Sequence, residues 1–550
     1  MPGEPEPVPG ATPSVPAGAS GGAHPRGGAG AGGSGRGRGS VAGDRPTPAP
    51  AIGRAGAGCS AGGDGAGGGR VPPGGGPLAG SAGNSDRAAG VEGPAGTAAE
   101  RAVLLTVALA TMLAPLNSTM IAVALPGIMA DLGAELALAG WLVTGYLIAM
   151  ATLQPVAGKL GDRLGRRPLI LGALVAFGAA SLAAALAPNL AVALAGRIAQ
   201  GIAGAVLMPN ASALLREIGS GSTFGARTGL IGAAAGLAAA VGPPLGGLLD
   251  GTLGWRAIFA VNLLLVVPTL VLGWSAVPAA TGRRPARAFD TLGAGLLLVT
   301  LVGGSATLVL GGRLGSEALR IALAAAVGLA AAGLIAWEWR QADPVVQPRF
   351  FRRRAFGAAN AGIALSNLAM YSTLLALPLL LRSRPGWLEG TGAVGAGLIL
   401  TALSVAMVVA SPLGGRLADR FGRRWPTVAG LALLTLAAGP LWWLGGAIEP
   451  APLVGVLALM GVGLGLSGAG LQTSAMEAVG RADTGAAAGV YSTSRYLGSI
   501  VGSSLLAALL GPLGDSSTGF ATVFGLVLGA SVLSTAAALA LVDRPSPDRP

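Results

Sequence analysis

Apolar stretches of about 20 residues follow one another from Ala102 to Val542, and each is long enough to cross the ~30 Å hydrocarbon core of a bilayer. Nothing else constrains the chain as strongly. In lipid every backbone N–H and C=O must be satisfied within its own segment, so a spanning stretch of this kind is a helix. Fourteen spans are predicted, near 103–126, 138–157, 168–187, 190–214, 228–250, 256–277, 291–311, 319–339, 357–381, 392–413, 426–446, 452–475, 485–510 and 520–542. Hydrophobic residues make up 52% of the chain and charged residues 11%, against about 25% charged in soluble domains. Mean hydropathy is +0.66. Ala, Leu, Val and Gly supply the apolar bulk, and small residues let helices approach closely in lipid.

An even number of spans puts both termini on one side. The loops on that side carry nineteen basic residues, from Lys159 to Arg481, and the opposite loops carry five: Arg256, Arg313, Arg320, Arg382 and Arg384. The positive-inside rule then places both termini in the cytoplasm. This segregation also accounts for the net charge of +12, so no nucleic-acid partner is expected. The partners expected are the bilayer and a small-molecule substrate.

The single cysteine, Cys59, and the single histidine, His24, both precede the first span. The spans therefore offer no disulfide, no Cys/His metal site, no haem or iron–sulfur ligation and no histidine relay. No cofactor or metal is expected. No nucleophile–base pair suggests an enzyme. Gly461-Val462-Gly463-Leu464-Gly465 imitates a dinucleotide loop only superficially, inside an apolar span with no preceding strand.

Residues 1–101 are rich in Gly, Ala, Pro and Ser and cannot bury a core, so a disordered cytoplasmic tail is expected. Its start has neither a basic nor an apolar signal-peptide region. Eight scattered arginines leave an anionic-lipid contact open.

An internal repeat organises the rest. Gly158-Lys159-Leu160-Gly161-Asp162-Arg163-Leu164-Gly165-Arg166-Arg167 matches Gly415-Arg416-Leu417-Ala418-Asp419-Arg420-Phe421-Gly422-Arg423-Arg424 at a constant offset of 257, and Pro155 aligns with Pro412. Each copy falls between the second and third helices of a six-helix half. Repeated halves are a common transporter plan. The expected organisation is a tail over 1–101, a six-helix half over 102–278, two inserted helices with their loops over 279–356, a second six-helix half over 357–543 and a short tail over 544–550.

These segments resemble the major facilitator superfamily, and within it the fourteen-helix drug:proton antiporters. The doubled loop matches the superfamily's G-x-L-x-D-R-x-G-R-R signature. Arg197-Ile198-Ala199-Gln200-Gly201 in helix 4, Gly242-Pro243-Pro244-Leu245-Gly246-Gly247 in helix 5, Leu116 to Pro126 in helix 1 and Trp255-Arg256-Ala257-Ile258-Phe259 at helix 6 are similar to family segments. The resemblance covers residues 102–543. It implies an all-α membrane fold of two six-helix halves plus two inserted helices. It also implies export of small apolar or amphipathic compounds by alternating access, with the proton as coupling ion, from a monomer in the plasma membrane. A proton-independent facilitator, a lipid-like substrate exporter and a non-transporting receptor on the same fold are the alternatives.

Three groups of residues carry the candidate chemistry. Gly158, Asp162, Arg163, Gly165, Arg166 and Arg167, with Asp419, Arg420 and Arg423, form a charged cytoplasmic gate, where an aspartate can meet arginines or a helix N-terminus. Gly232, Gly236, Gly242, Pro243, Gly246 and Gly247 form the antiporter-type surface of helix 5, close-packed and kinked. Asn117, Gln154, Arg197, Gln200 and Arg495 are the polar residues for substrate or coupling. Arg197 lies ~10 Å and Arg495 ~15 Å into their helices at 1.5 Å per residue, depths at which a charge is functional by default. Asn117 lies ~21 Å into helix 1 and is expected to face the cavity. Many antiporters of the subfamily have Asp there, and Asn where this chain has Ala122. All 24 acidic residues fall in tails, loops or helix ends. A cavity with arginines and no carboxylate suits neutral or anionic substrates.

Overall fold

A computed structural model describes residues 94–218, 224–278, 290–311, 314–341, 344–384, 392–445, 447–480, 483–513 and 516–543. The tail over 1–93, the segment 544–550, Arg283, Arg284, Arg287, Arg313 and Arg481 lie outside them, as do the side chain of Asp162 and the surroundings of Gly232.

Fourteen long helices follow in order: α1 Pro94–Leu132, α2 Trp141–Leu164, α3 Arg166–Ala185, α4 Leu190–Ile218, α5 Phe224–Leu253, α6 Asn262–Ala276, α7 Thr291–Leu310, α8 Glu317–Glu338, α9 Arg354–Arg382, α10 Gly392–Phe421, α11 Arg424–Leu444, α12 Pro450–Glu477, α13 Thr484–Leu513 and α14 Ser517–Ala538. Short turns, Leu136–Ala139 and Ala257–Ala260, lead into α2 and α6. Among the described residues thirteen of the fourteen are long and apolar enough to span a membrane. The other, α13, has 30 residues; Tyr491, Arg495, Tyr496 and its serines lower its hydropathy, and they are polar groups turned into the bundle.

Two boundaries differ from the sequence expectation. Residues 94–101, assigned to the tail, are the opening turns of α1, with Pro94 at the first position, where its missing N–H costs nothing. The repeated loop is mostly not a loop. Helix α2 runs on to Leu164 and α10 to Phe421, so each motif is the last turns of a helix followed by one glycine, Gly165 at φ 93° and Gly422 at φ 84°. Only glycine takes that conformation without cost, so chain reversal is confined to a single residue.

The packing repeats as the sequence does. In the first half α1 packs on α4, α5 and α6, and α4 packs on α2 and α3; α3 also packs on α6. In the second half α9 packs on α12, α13 and α14, α12 packs on α10 and α11, and α11 packs on α14. Each pairing recurs eight helices later. The contacts between halves obey the same exchange, α5 with α10 and α2 with α13, while α1 meets α9. The inserted α7 and α8 pack on each other, and α7 lies against α2 and α13, the two helices that meet across the seam.

The end of the bundle carrying the doubled motif is called the basic end here. At the opposite end the halves close on each other. Gly247 meets the α10 backbone so tightly that a Cβ there would stand 3.0 Å from Gly397 Cα. The Thr144 and Ser503 hydroxyls are 2.9 Å apart, and a Cβ at Gly140 would lie 3.5 Å from that of Ala507.

Candidate functional site

Deep in the first half, four helices converge on Arg197, a side chain with 0% of its surface exposed. Its Nε donates to the Leu142 carbonyl at 2.9 Å and its Nη1 to Gln200 Oε1 at 3.0 Å. The guanidinium stacks over the Tyr146 ring at 4.3 Å. Asn117 Nδ2 donates to the same Gln200 oxygen at 3.0 Å, and Gln200 Nε2 donates to Ser181 Oγ at 2.7 Å. Asn262 completes the group through Ser181. Asn117 is fully buried, so the expectation that it faces the cavity is corrected: its amide is spent on Gln200, inside the half. One donor, Arg197 Nη2, and two acceptors, Asn117 Oδ1 and Asn262 Oδ1, have no hydrogen-bond partner.

Arg495, from α13 in the second half, is in a different state. It is half-buried, its guanidinium lies over the Tyr496 ring at 5.1 Å, and its Nη2 reaches Tyr496 Oη at 3.4 Å. Tyr371 on α9 lies near both Arg495 and Arg197 and donates across the seam to Ser118 Oγ at 3.4 Å. Tyr491 also lies near Arg495. The chain has four tyrosines. All four, Tyr146, Tyr371, Tyr491 and Tyr496, are buried around these two arginines. The sequence reading missed them, although scarcity was the available signal. Gln154 on α2 is half-buried.

Helix α5 divides its glycines between two partners. Gly242 and Gly246, one turn apart, face α1: a Cβ at 246 would lie 2.9 Å from Met120 Cα, and one at 242 would strike Thr119. Gly236 and Gly247 face α10 across the seam, at Val408 and Gly397. The same helix thus packs within its own half on one face and against the other half on another. Pro243 lies inside the helix with Pro244, and a Cβ on Gly397 would press against its carbonyl oxygen.

At the basic end, Gly158 allows α4 close, with Pro209 3.7 Å from where its Cβ would stand. Arg163 is exposed, Arg166 is buried, and Arg167 Nη2 donates to the Trp274 carbonyl of α6 at 2.7 Å. In the second copy Asp419 and Arg420 are exposed. Arg423 pairs with Glu477 at the end of α12. The backbone N–H groups of Arg423 and Arg424 donate to Asp543 Oδ1 at 2.6 and 2.9 Å, a carboxylate at the last position of the second half to which the sequence reading gave no role.

Residues 107–503 match the sequence model of the Major Facilitator Superfamily. The uncharacterized MFS-type transporter YvkA of Bacillus subtilis (strain 168) is 31% identical over 445 residues, covering 80% of this chain and 96% of its own. The tetracenomycin C resistance and export protein of Streptomyces glaucescens is 32% identical over 422 residues, 76% of each chain. The multidrug resistance protein B homolog of Mycobacterium tuberculosis (strain ATCC 25618 / H37Rv) is 31% identical over 418 residues, 73% of this chain and 74% of its own. Among solved structures, the human organic anion transporter MFSD10 superposes with a TM-score of 0.54 at 20% identity, over 79% of this chain and 99% of that one. The peptide transporter POT in complex with sulfate superposes at 0.60 with 15% identity, over 79% and 94%. At those identities the likeness is one of fold.

Proposed function

Because this chain belongs to the Major Facilitator Superfamily and is therefore a multi-pass membrane transporter and not an enzyme, we propose that it exports neutral or anionic aromatic and amphipathic compounds by alternating access. One observation carries the substrate class. Half-buried Arg495 lies beside Tyr496 and near Tyr371, whose hydroxyl crosses the seam to Ser118, while Arg197 is enclosed behind them on Tyr146, and every acidic residue lies toward a span end or outside the spans. Such a lining stacks flat rings, attracts negative charge and opposes cations. Export is supported by the helix 5 motif and by relatives named for drug and antibiotic resistance. The closed end opposite the motif agrees with a conformer whose substrate path leads to the basic end. By the positive-inside rule the basic end faces the cytoplasm, and the membrane is the plasma membrane. The protein acts as a monomer, and the proton is its coupling ion. Glycines 158 and 165, Asp162 and the arginines around them serve as the cytoplasmic gate.

The test is purified protein in liposomes, offered anionic, neutral and cationic fluorescent dyes with and without a pH gradient. Anionic or neutral dyes are expected to move, faster with the gradient. Export of cations alone would overturn the substrate class, and indifference to the gradient would overturn antiport.

A further inference from the structure

Two carboxyl groups at the basic end are buried away from the central site. Asp290 precedes α7 and is 8% exposed; Glu338 ends α8 and is 2% exposed. Asp290 Oδ1 caps α7 by accepting from Gly293 N at 2.8 Å and also accepts from Trp337 Nε1 at 2.8 Å. Glu338 Oε2 accepts from Val346 N at 3.1 Å. Each group thus has one satisfied oxygen. The other oxygens, Asp290 Oδ2 and Glu338 Oε1, are buried without a hydrogen-bond partner. They converge over Gly293: a Cβ there would strike Asp290 Oδ2 and lie 2.9 Å from Glu338 Oε1.

Two ionised carboxylates offer only acceptors, and a pair facing each other out of water can satisfy neither lone oxygen. One proton resolves both at once, since the protonated oxygen donates and the facing one accepts. Among the described residues, the charged side chains acting on Glu338 are Asp290 and Lys159, the first charged residue of the repeated motif on α2. No metal-binding cluster of three such ligands exists among the described residues.

We propose that Asp290 and Glu338 form a proton-binding pair, holding one proton between Asp290 Oδ2 and Glu338 Oε1 and releasing it to water at the basic end. Binding takes the pair from two negative charges to one. Release leaves a second negative charge facing Lys159, which strengthens the tie between the inserted helices and the first half. Because α7 lies against α2 and α13, that tie acts where the halves move past each other. The consequence for transport rests on the antiport reading above; the proton site itself does not. It supplies the titratable group that the arginine-lined centre lacks.

Infrared difference spectra of the purified full chain, between mildly acidic and mildly alkaline buffer, test the site. A protonated-carboxyl C=O band is expected, shifted in D2O and lost on the alkaline side. Asp290→Asn keeps the helix cap and Glu338→Gln keeps the volume; each should remove the band. Gly293→Ala, which wedges the two oxygens apart, should shift it. No band in the wild type, or a band surviving in both carboxyl variants, overturns the proposal. So does a wild type without the band that is stabilised by sodium ions, which would make the occupant a metal cation. In liposomes Glu338→Gln is expected to lose the stimulation of export by a pH gradient. A wild type with the band but no gradient dependence would sink the antiport reading and leave the proton site standing.

Discussion

The two halves repeat one plan and use it differently at corresponding places. At the basic end both reverse on one left-handed glycine, Gly165 and Gly422. In the first half the following arginine, Arg167, ties α3 to the carbonyl end of α6. In the second half polarity is inverted. Asp543, just past α14, accepts from the first amides of α11, where the helix dipole favours an anion. At the centre, Arg197 is enclosed and bonded to a carbonyl, an amide and a ring, whereas Arg495 has a neighbouring tyrosine and partial exposure. A repeat therefore fixes backbone geometry, and the contacts made from it assign the roles. The first-half arginine is bonded within its half, and the second-half arginine keeps partial exposure.

The largest effect expected from that contrast is on Arg197. Arg197→Ala takes one donor from the Leu142 carbonyl and one from Gln200 Oε1 and empties the space over the Tyr146 ring, leaving a cavity in a dry interior. Folded yield in detergent and transport should fall together, and Arg197→Lys should recover only part, having lost the planar fork. Arg495→Ala should abolish export of anionic dyes while the melting temperature in detergent stays near that of the wild type. Equal loss of folded protein in both variants would erase the distinction.

Asp162 and Asp419 come next. Asp162→Asn is expected to cut export sharply at equal membrane abundance, and Asp419→Asn to cut it less, because Asp419 is exposed. Equal export rates for the two variants would argue that the copies are interchangeable.

Asn117→Asp sharpens the central comparison. A carboxylate there stands beside the Arg197 guanidinium, which shares Gln200 Oε1 with residue 117, so the variant should melt at or above the wild-type temperature and keep its preference for anionic dyes. A gain of cation export would show that residue 117 reaches the cavity in another conformer. The smallest effect belongs to Asp543→Ala, which removes a helix cap worth about 1 kcal/mol and should lower the melting temperature slightly with little change in export rate.

Much of the fold was legible in the chain itself. Apolar length dictates helices in lipid, and the 257-residue offset dictates two halves, because neither depends on distant contacts. The deep arginines were legible for the same reason: a charge stands out in any apolar run. The sequence could not say which way a polar side chain points. Asn117 and Arg495 sit at similarly deep positions in their helices, and only the packing of α1, α3, α4 and α6 encloses one while the seam leaves the other half-open. Tyr146, Tyr371, Tyr491 and Tyr496 look like scattered aromatic residues until three separate helices bring them together. Asp290 and Glu338 stand 48 positions apart and read as ordinary helix ends; only the docking of α8 on α7 turns their lone oxygens toward each other, because side-chain direction and desolvation are properties of the assembled bundle and not of any one helix.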